Sequence, residues 1–102
     1  MMRLTLFLLV SMVPALMPGP RRHVVEMKDF QFKPLVLRVA AGDTVVFENR
    51  DIAPHTATAA DSAWDSGNIA AKARWTMVAR KRGEQEFTCV YHSNMKGKLV
   101  VR

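Results

Sequence analysis

The stretch Cys89-Val90-Tyr91-His92-Ser93-Asn94-Met95 places a thiol, an imidazole and a thioether, all side chains that bind transition metals, within seven residues. Segments with strand character flank it, at residues 86–88 and 98–101. Soft sulfur donors beside an imidazole favour copper, and two imidazoles, one thiolate and a weak axial Met form the blue-copper ligand set. The stretch supplies three of these four ligands, so a copper site requires a second imidazole, for which His55 is the candidate.

The start of the chain has the pattern of a targeting segment. Met1-Met2-Arg3 is short and basic, residues 4–13 form an apolar run, and Val13-x-Ala15 resembles a cleavage site. The run is too short to span a bilayer comfortably, and Pro14 follows it at once. We therefore predict a cleaved signal peptide and lead-in over residues 1–20, no stable membrane insertion, and an exported, periplasmic domain over residues 21–102.

Composition narrows the classes of function. Fifteen basic and nine acidic residues give a formal net charge of +6. No nucleic-acid-binding motif accompanies this charge and export argues against nucleic acid, so acidic partners or anionic surfaces are favoured. The single Cys89 cannot form an internal disulfide, which leaves a ligand, a nucleophile, an inert buried thiol or an intermolecular bond.

Short segments of alternating apolar and polar residues, separated by turn signals, make up most of the remaining chain. They predict an all-β fold, a Greek-key β-sandwich of about seven to eight strands. The clearest predicted strands lie at residues 23–27, 35–39, 44–49, 56–59, 74–78, 84–89 and 98–102. A short helical turn at residues 70–73 is the alternative for that alanine-rich segment.

Strand direction decides whether His55 can approach Cys89. The loops of an antiparallel sandwich gather at two poles. If the strand before His55 runs parallel to the strand before Cys89, the two residues share a pole, which a Greek key permits. The basic turn at residues 80–83 then lies at the opposite pole, where it would not steer a redox partner to His92.

Two separated motifs resemble those of the cupredoxins. The first reads Phe32-x-Pro34-x2-Leu37-x-Val39-x2-Gly42-Asp43-Thr44-Val45-x-Phe47-x-Asn49-x-Asp51-x2-Pro54-His55, and the second reads Cys89-x2-His92-x2-Met95-Lys96-Gly97. The two-residue gap between His92 and Met95 is similar to the short ligand loop of amicyanin, in the plastocyanin and amicyanin branch. The resemblance extends over about residues 24–102 and implies a β-sandwich that shuttles one electron between Cu(I) and Cu(II).

The resemblance also implies a role for each ligand of one type 1 copper ion. The ligands would be His55 as first imidazole, Cys89 as thiolate, His92 as second imidazole and electron exit, and Met95 as long axial ligand. Asn49 and Thr56 are expected to tie the two ligand loops together. The chain differs from amicyanin-like loops, which usually carry prolines, in having Val90-Tyr91 and Ser93-Asn94 around the second His.

Each of these residues also has an ordinary structural explanation. Cys89 could be a small buried side chain, Met95 could fill the core, and His23 lies outside both motifs near a frayed terminus. The larger aromatic residues are expected to be core or surface-patch residues that do not stack on a cofactor: Phe30, Phe32, Phe47, Trp64, Trp75 and Phe87.

Other chemistries account for less of the pattern. Zinc sites rarely use a Met ligand. A hydrolytic zinc centre also needs a general base, and Asp51 is the only carboxylate in either ligand loop. A thiol enzyme would leave Met95 unexplained, and three His and one Cys are too few for multicopper or dinuclear copper sites. We predict a monomeric, non-enzymatic electron carrier with redox protein partners. The alternative is an exported copper-binding or copper-delivery module without an electron-transfer role.

Overall fold

The chain forms eight β-strands in the computed structural model, which describes residues 2–9 and 19–102. The strands are β1 (Arg22–Lys28), β2 (Gln31–Lys33), β3 (Val36–Val39), β4 (Thr44–Asn49), β5 (Thr58–Ala59), β6 (Arg74–Val78), β7 (Gly83–Cys89) and β8 (His92–Val101). The end of the apolar run and the predicted cleavage site fall in residues 10–18, outside the described residues. Within the two described ranges, no helix has the length and apolar character needed to cross a bilayer.

The strands form two four-stranded sheets, in the orders β2-β1-β4-β6 and β3-β8-β7-β5. β1 pairs with β4 and β3 pairs with β8 in parallel, and the other pairs are antiparallel. The parallel partners are distant in sequence, so the chain crosses repeatedly between the sheets. The predicted all-β sandwich is confirmed.

Aromatic rings dominate the core between the sheets. The ring of Phe87 contacts Phe32 and Phe47 edge-to-face, with centroids 4.8 and 5.4 Å apart. Trp64 and Trp75, stacked at 6.2 Å, extend this cluster beside Phe47. Because such side chains bury large apolar areas, this cluster is a large part of the core between the sheets. The prediction that these five residues serve packing is confirmed.

The strand directions bring the ends of β4 and β7 to one pole. The Ala40–Asp43 turn reverses the chain between β3 and β4, so these two strands run in opposite directions. β8 is parallel to β3 and β7 is antiparallel to β8, so β7 runs in the direction of β4. His55 and Cys89 therefore share a pole, as predicted. At the other pole, the Gly42 N–H donates to the Ala79 carbonyl, which places the basic turn that follows Ala79 away from them.

Two local predictions changed, and the alternative at residues 70–73 is wrong. β8 begins at His92, six residues before the predicted strand, because Val90 and Tyr91 form a two-residue turn that returns the chain directly along β7. β5 contains only Thr58 and Ala59, since the N–H groups of the two preceding residues donate to side chains and not to a neighbouring strand. Residues 70–73 contain a turn, and no helix occurs in that segment.

Candidate metal centre

His55 is fully buried just beyond the loop that follows β4. Its backbone exchanges two hydrogen bonds with Ile69, at 3.1 and 2.8 Å. Asn49 braces the intervening loop: its amide donates to the carbonyls of Ala53 and Ile69, and its Oδ1 accepts from the Asp51 N–H. Asn49 therefore supports the His55 segment itself, and not the link between the two ligand segments that the resemblance implied.

The imidazole of His55 is oriented by a carboxylate. Its Nε2 lies 2.8 Å from Asp51 Oδ2 in a buried hydrogen bond. An ionised carboxylate only accepts, so Nε2 is the donor and Nδ1 is the ring nitrogen left to bind a metal ion. Nδ1 lies 3.7 Å from Cys89 Sγ, so the metal-binding nitrogen is directed at the thiol.

Asp51 also binds the turn between β1 and β2. Its two carboxylate oxygens accept the backbone N–H groups of Asp29 and Phe30, at 2.7 and 2.9 Å. Burial acts to raise the pKa of Asp51, but the hydrogen bonds from Phe30, His55 and Asp29 outweigh it and hold the pKa below its ordinary value. The carboxylate therefore stays ionised and keeps accepting from the imidazole.

Cys89 is the last residue of β7 and is buried. The Thr56 N–H donates to its sulfur at 3.3 Å, and the Val90 N–H donates to Thr56 Oγ1 at 2.9 Å. Thr56 thus joins the segment that carries His55 to the segment that carries Cys89, as the resemblance implied.

His92 and Met95 follow in β8, in a hairpin and not in the open loop that the sequence suggested. Cys89 pairs with His92, whereas the adjacent Thr88 pairs with Lys96, so residues 93–95 are extra on the β8 side. This bulge bends the strand beside Cys89. Met95 is buried and lines a cavity of about 410 Å³ that also borders His92 and Phe30.

The cluster of His55, Cys89 and His92 brings one ligand atom from each residue to within 4.8 Å of the others. Two ligands held about 2.0 and 2.3 Å from one tetrahedral ion lie about 3.5 Å apart, close to the distance between His55 Nδ1 and Cys89 Sγ. The Nδ1 lone pair of His55 faces the sulfur of Cys89 across that gap, where one metal ion could bind both atoms. The donor set therefore fits one metal ion, and thiolate with imidazole and a neighbouring thioether fits copper.

Phe30 lies against both imidazoles of the cluster. Its ring centroid is 5.3 Å from that of His55 and 4.8 Å from that of His92, with nearly perpendicular planes. The side chain is 47% exposed, so it forms part of the surface above the site. Phe30 was expected to be a core or patch residue; it is a patch residue that also contacts the candidate ligands.

Sequence reasoning assigned no role to Asp51 or Phe30 at the site. The four-residue spacing between Asp51 and His55 was the one available signal for the carboxylate. Nothing local marked Phe30, because its contacts arise from the β1–β2 turn folding over residues far along the chain.

A two-sheet sandwich with buried His and Cys ligands at one pole defines the cupredoxin class of protein. The family model described as the cupredoxin-like domain matches residues 1–101, and the chain belongs to that family. The resemblance to cupredoxins is confirmed, and the site fits one type 1 copper ion. No curated protein sequence matches this chain.

Solved structures show the same fold. The Cu(I) form of a methionine-to-alanine variant of amicyanin is 25% identical, with TM-score 0.74, over 86% of this chain and 87% of that chain. A copper-containing nitrite reductase from Thermus scotoductus SA-01 is 28% identical with TM-score 0.74, over 85% of this chain. This chain corresponds to 23% of that enzyme's length. The purple cupredoxin from Nitrosopumilus maritimus, 20% identical with TM-score 0.72 over 78% of this chain and 98% of that chain, shares the fold.

Proposed function

We propose that this chain is an exported type 1 (blue) copper protein that carries single electrons between redox protein partners in the periplasm. The observation that carries the proposal is the convergence of His55, Cys89 and His92 at one pole of the sandwich. These three residues would hold the copper ion, with Met95 as the axial ligand. Bound copper supplies a one-electron Cu(I)/Cu(II) couple to such a site.

The residues around the site hold the ligand side chains in a fixed geometry, which does not favour exchange of the metal. Asp51 holds the His55 ring by Nε2, and Thr56 holds the sulfur of Cys89 through its backbone N–H. In the described residues, every buried side-chain nitrogen and oxygen atom has a hydrogen-bond partner. Preorganised ligands need little rearrangement when the charge of the site changes, which suits electron transfer better than metal delivery.

His92 provides the route to the surface. It is half-buried, whereas His55 and Cys89 are buried, and the exposed rings of Phe30 and Tyr91 lie beside it. Two exposed aromatic rings beside one partly exposed ligand allow close approach of a redox partner. We assign no nitrite reductase activity to this chain, since it corresponds to only a small part of that enzyme.

Export rests on the predicted signal peptide at residues 1–20, which we retain as a proposal together with the domain boundary at residue 21. A periplasmic electron carrier also accords with a fold shared with amicyanin. A protein that is exported and monomeric would diffuse between donor and acceptor.

The experiment is the addition of Cu(II) to the purified protein. We expect an intense blue absorption band from thiolate-to-copper charge transfer and a reversible one-electron reduction. The Cys89→Ser variant should lose the band while its circular dichroism still reports a β fold. A colourless or irreversible Cu(I)-only complex would contradict the carrier and favour copper delivery. A variant that stays blue would exclude Cys89 as a ligand.

A further inference from the structure

The turn that carries Phe30 departs from the usual rules of hairpin sequence. Lys28 pairs with Gln31, so Asp29 and Phe30 form a two-residue turn, and both have positive φ, 54° and 57°. A turn of this kind normally has Gly at its second position, because side chains disfavour that backbone region. Phe30 occupies the position where Gly would be unstrained.

The site itself holds this unfavourable conformation in place. Asp51 accepts the N–H groups of Asp29 and Phe30 with the same carboxylate that accepts from His55 Nε2. The buried side chain of Asp51 therefore fixes both the orientation of the His55 imidazole and the turn that places the Phe30 ring against that imidazole. Backbone strain that the surroundings maintain tends to occur at functional positions.

We propose that Phe30 is a positioning residue, whose ring fixes the orientations of the His55 and His92 imidazoles and covers them from water. The inference rests on the proposed copper function of these two histidines. Both ring contacts fall in the separation range of favourable edge-to-face aromatic pairs. Tyr91 is equally exposed but lies farther from His92, at 6.4 Å, so its contribution is smaller.

The decisive variant is Phe30→Gly, because Gly relieves the positive φ while it removes the ring. Phe30→Tyr retains the ring, and Tyr91→Leu is the matched control for an exposed aromatic neighbour of His92. In the copper-free protein, NMR cross-relaxation between the imidazole C–H groups of both histidines and neighbours other than Phe30 should change in Phe30→Gly and be retained in Phe30→Tyr. A thermal midpoint of Phe30→Gly at or above that of the parent protein would separate this effect from loss of folding.

The copper-loaded proteins supply the second measurement. Release of copper to a chelator should be about two- to tenfold faster in Phe30→Gly, the factor expected for an aromatic contact of this class, and unchanged in Phe30→Tyr. Tyr91→Leu should change the rate by less than Phe30→Gly does. Unchanged imidazole cross-relaxation, or equal release rates for Phe30→Gly and the parent protein, would overturn the inference. If the parent protein never turns blue with copper, the proposed copper function is wrong. The NMR comparison of the copper-free proteins tests the positioning role of Phe30 independently of that result.

Discussion

At the scale of single residues, the site contains some residues that are close together in sequence and others that only the fold brings together. Cys89, His92 and Met95 lie within one short stretch, so their proximity follows from chain connectivity. His55 reaches them only because two strands run in the same direction, which was a topological inference. The contacts of Asp51 with Asp29 and Phe30, and of the Phe30 ring with His92, join segments far apart in the chain, and no local pattern encodes them.

Met95 is the residue whose exchange should change the copper site most selectively. We predict that Met95→Gln keeps the copper site and lowers its reduction potential, because an amide oxygen replaces a soft axial thioether and favours Cu(II). Cyclic voltammetry of the blue protein and its variant measures the shift. An unchanged potential would show that Met95 is not an axial ligand, even though it lines the cavity beside His92.

At the scale of elements, the pattern of apolar and polar residues predicted most strands. It failed where backbone pairing with a neighbouring strand outweighs the residues' own preferences. β4 and β6 were predicted with the bounds observed, since both are rich in branched and aromatic residues and β6 alternates exposed with half-buried positions. The first part of β8 is polar, from His92 to Asn94, and carries no such alternation. It is a strand because the tight turn places its backbone beside β7, a tertiary effect that outweighs residue preference.

Gly97 makes the close packing of this hairpin possible. It pairs with Phe87, and a Cβ added at Gly97 would lie against the Phe87 ring, 2.6 Å from Cε2. Because that ring is enclosed by core aromatics, we predict that Gly97→Ala destabilises the copper-free fold by about 1–3 kcal/mol. Urea unfolding measures the loss. The double variant Phe87→Leu/Gly97→Ala should lose less than the sum of the single variants, and strict additivity would contradict this explanation.

The turn between β3 and β4 should make the fold sensitive to acid. Hydrogen bonds from the Arg21 N–H, His23 and the Ala40 N–H lower the pKa of Asp43 from 3.8 to about 2. The ionised carboxylate therefore stabilises the fold above the unfolded pKa, and this contribution is lost as pH falls from about 5 to about 2. Asp43→Asn should be less stable than the parent protein at neutral pH, and the difference should shrink over that range. Chemical unfolding at several pH values measures it, and a constant difference would contradict the assignment.

At the scale of the whole molecule, the two poles carry basic residues with different relations to the candidate site. Lys28 and Lys72 lie at the same pole as His55 and Cys89. Lys28 is the last residue of β1, which ends level with the end of β4. The Lys72 N–H donates to the carbonyl of Asn49, the last residue of β4. Arg80 and Arg82 lie at the opposite pole. The length of β4 alone separates the poles by about 17–20 Å. This exceeds the Debye length of about 10 Å at 0.1 M salt, so charges at the far pole are screened from a reagent at His92.

This separation predicts how electron exchange with a small anion depends on charge position. Lys28→Gln/Lys72→Gln and Arg80→Gln/Arg82→Gln remove the same charge from opposite poles. At 0.1 M salt the first variant should react with hexacyanoferrate roughly two- to fivefold more slowly than the parent protein, and the second at nearly the parent rate. Stopped-flow absorbance of the blue band measures both, and the difference should vanish near 1 M salt, where the Debye length falls to about 3 Å. Equal slowing by both variants would mean that total charge governs the encounter, and slowing by the arginine variant alone would place the electron exit at the wrong pole.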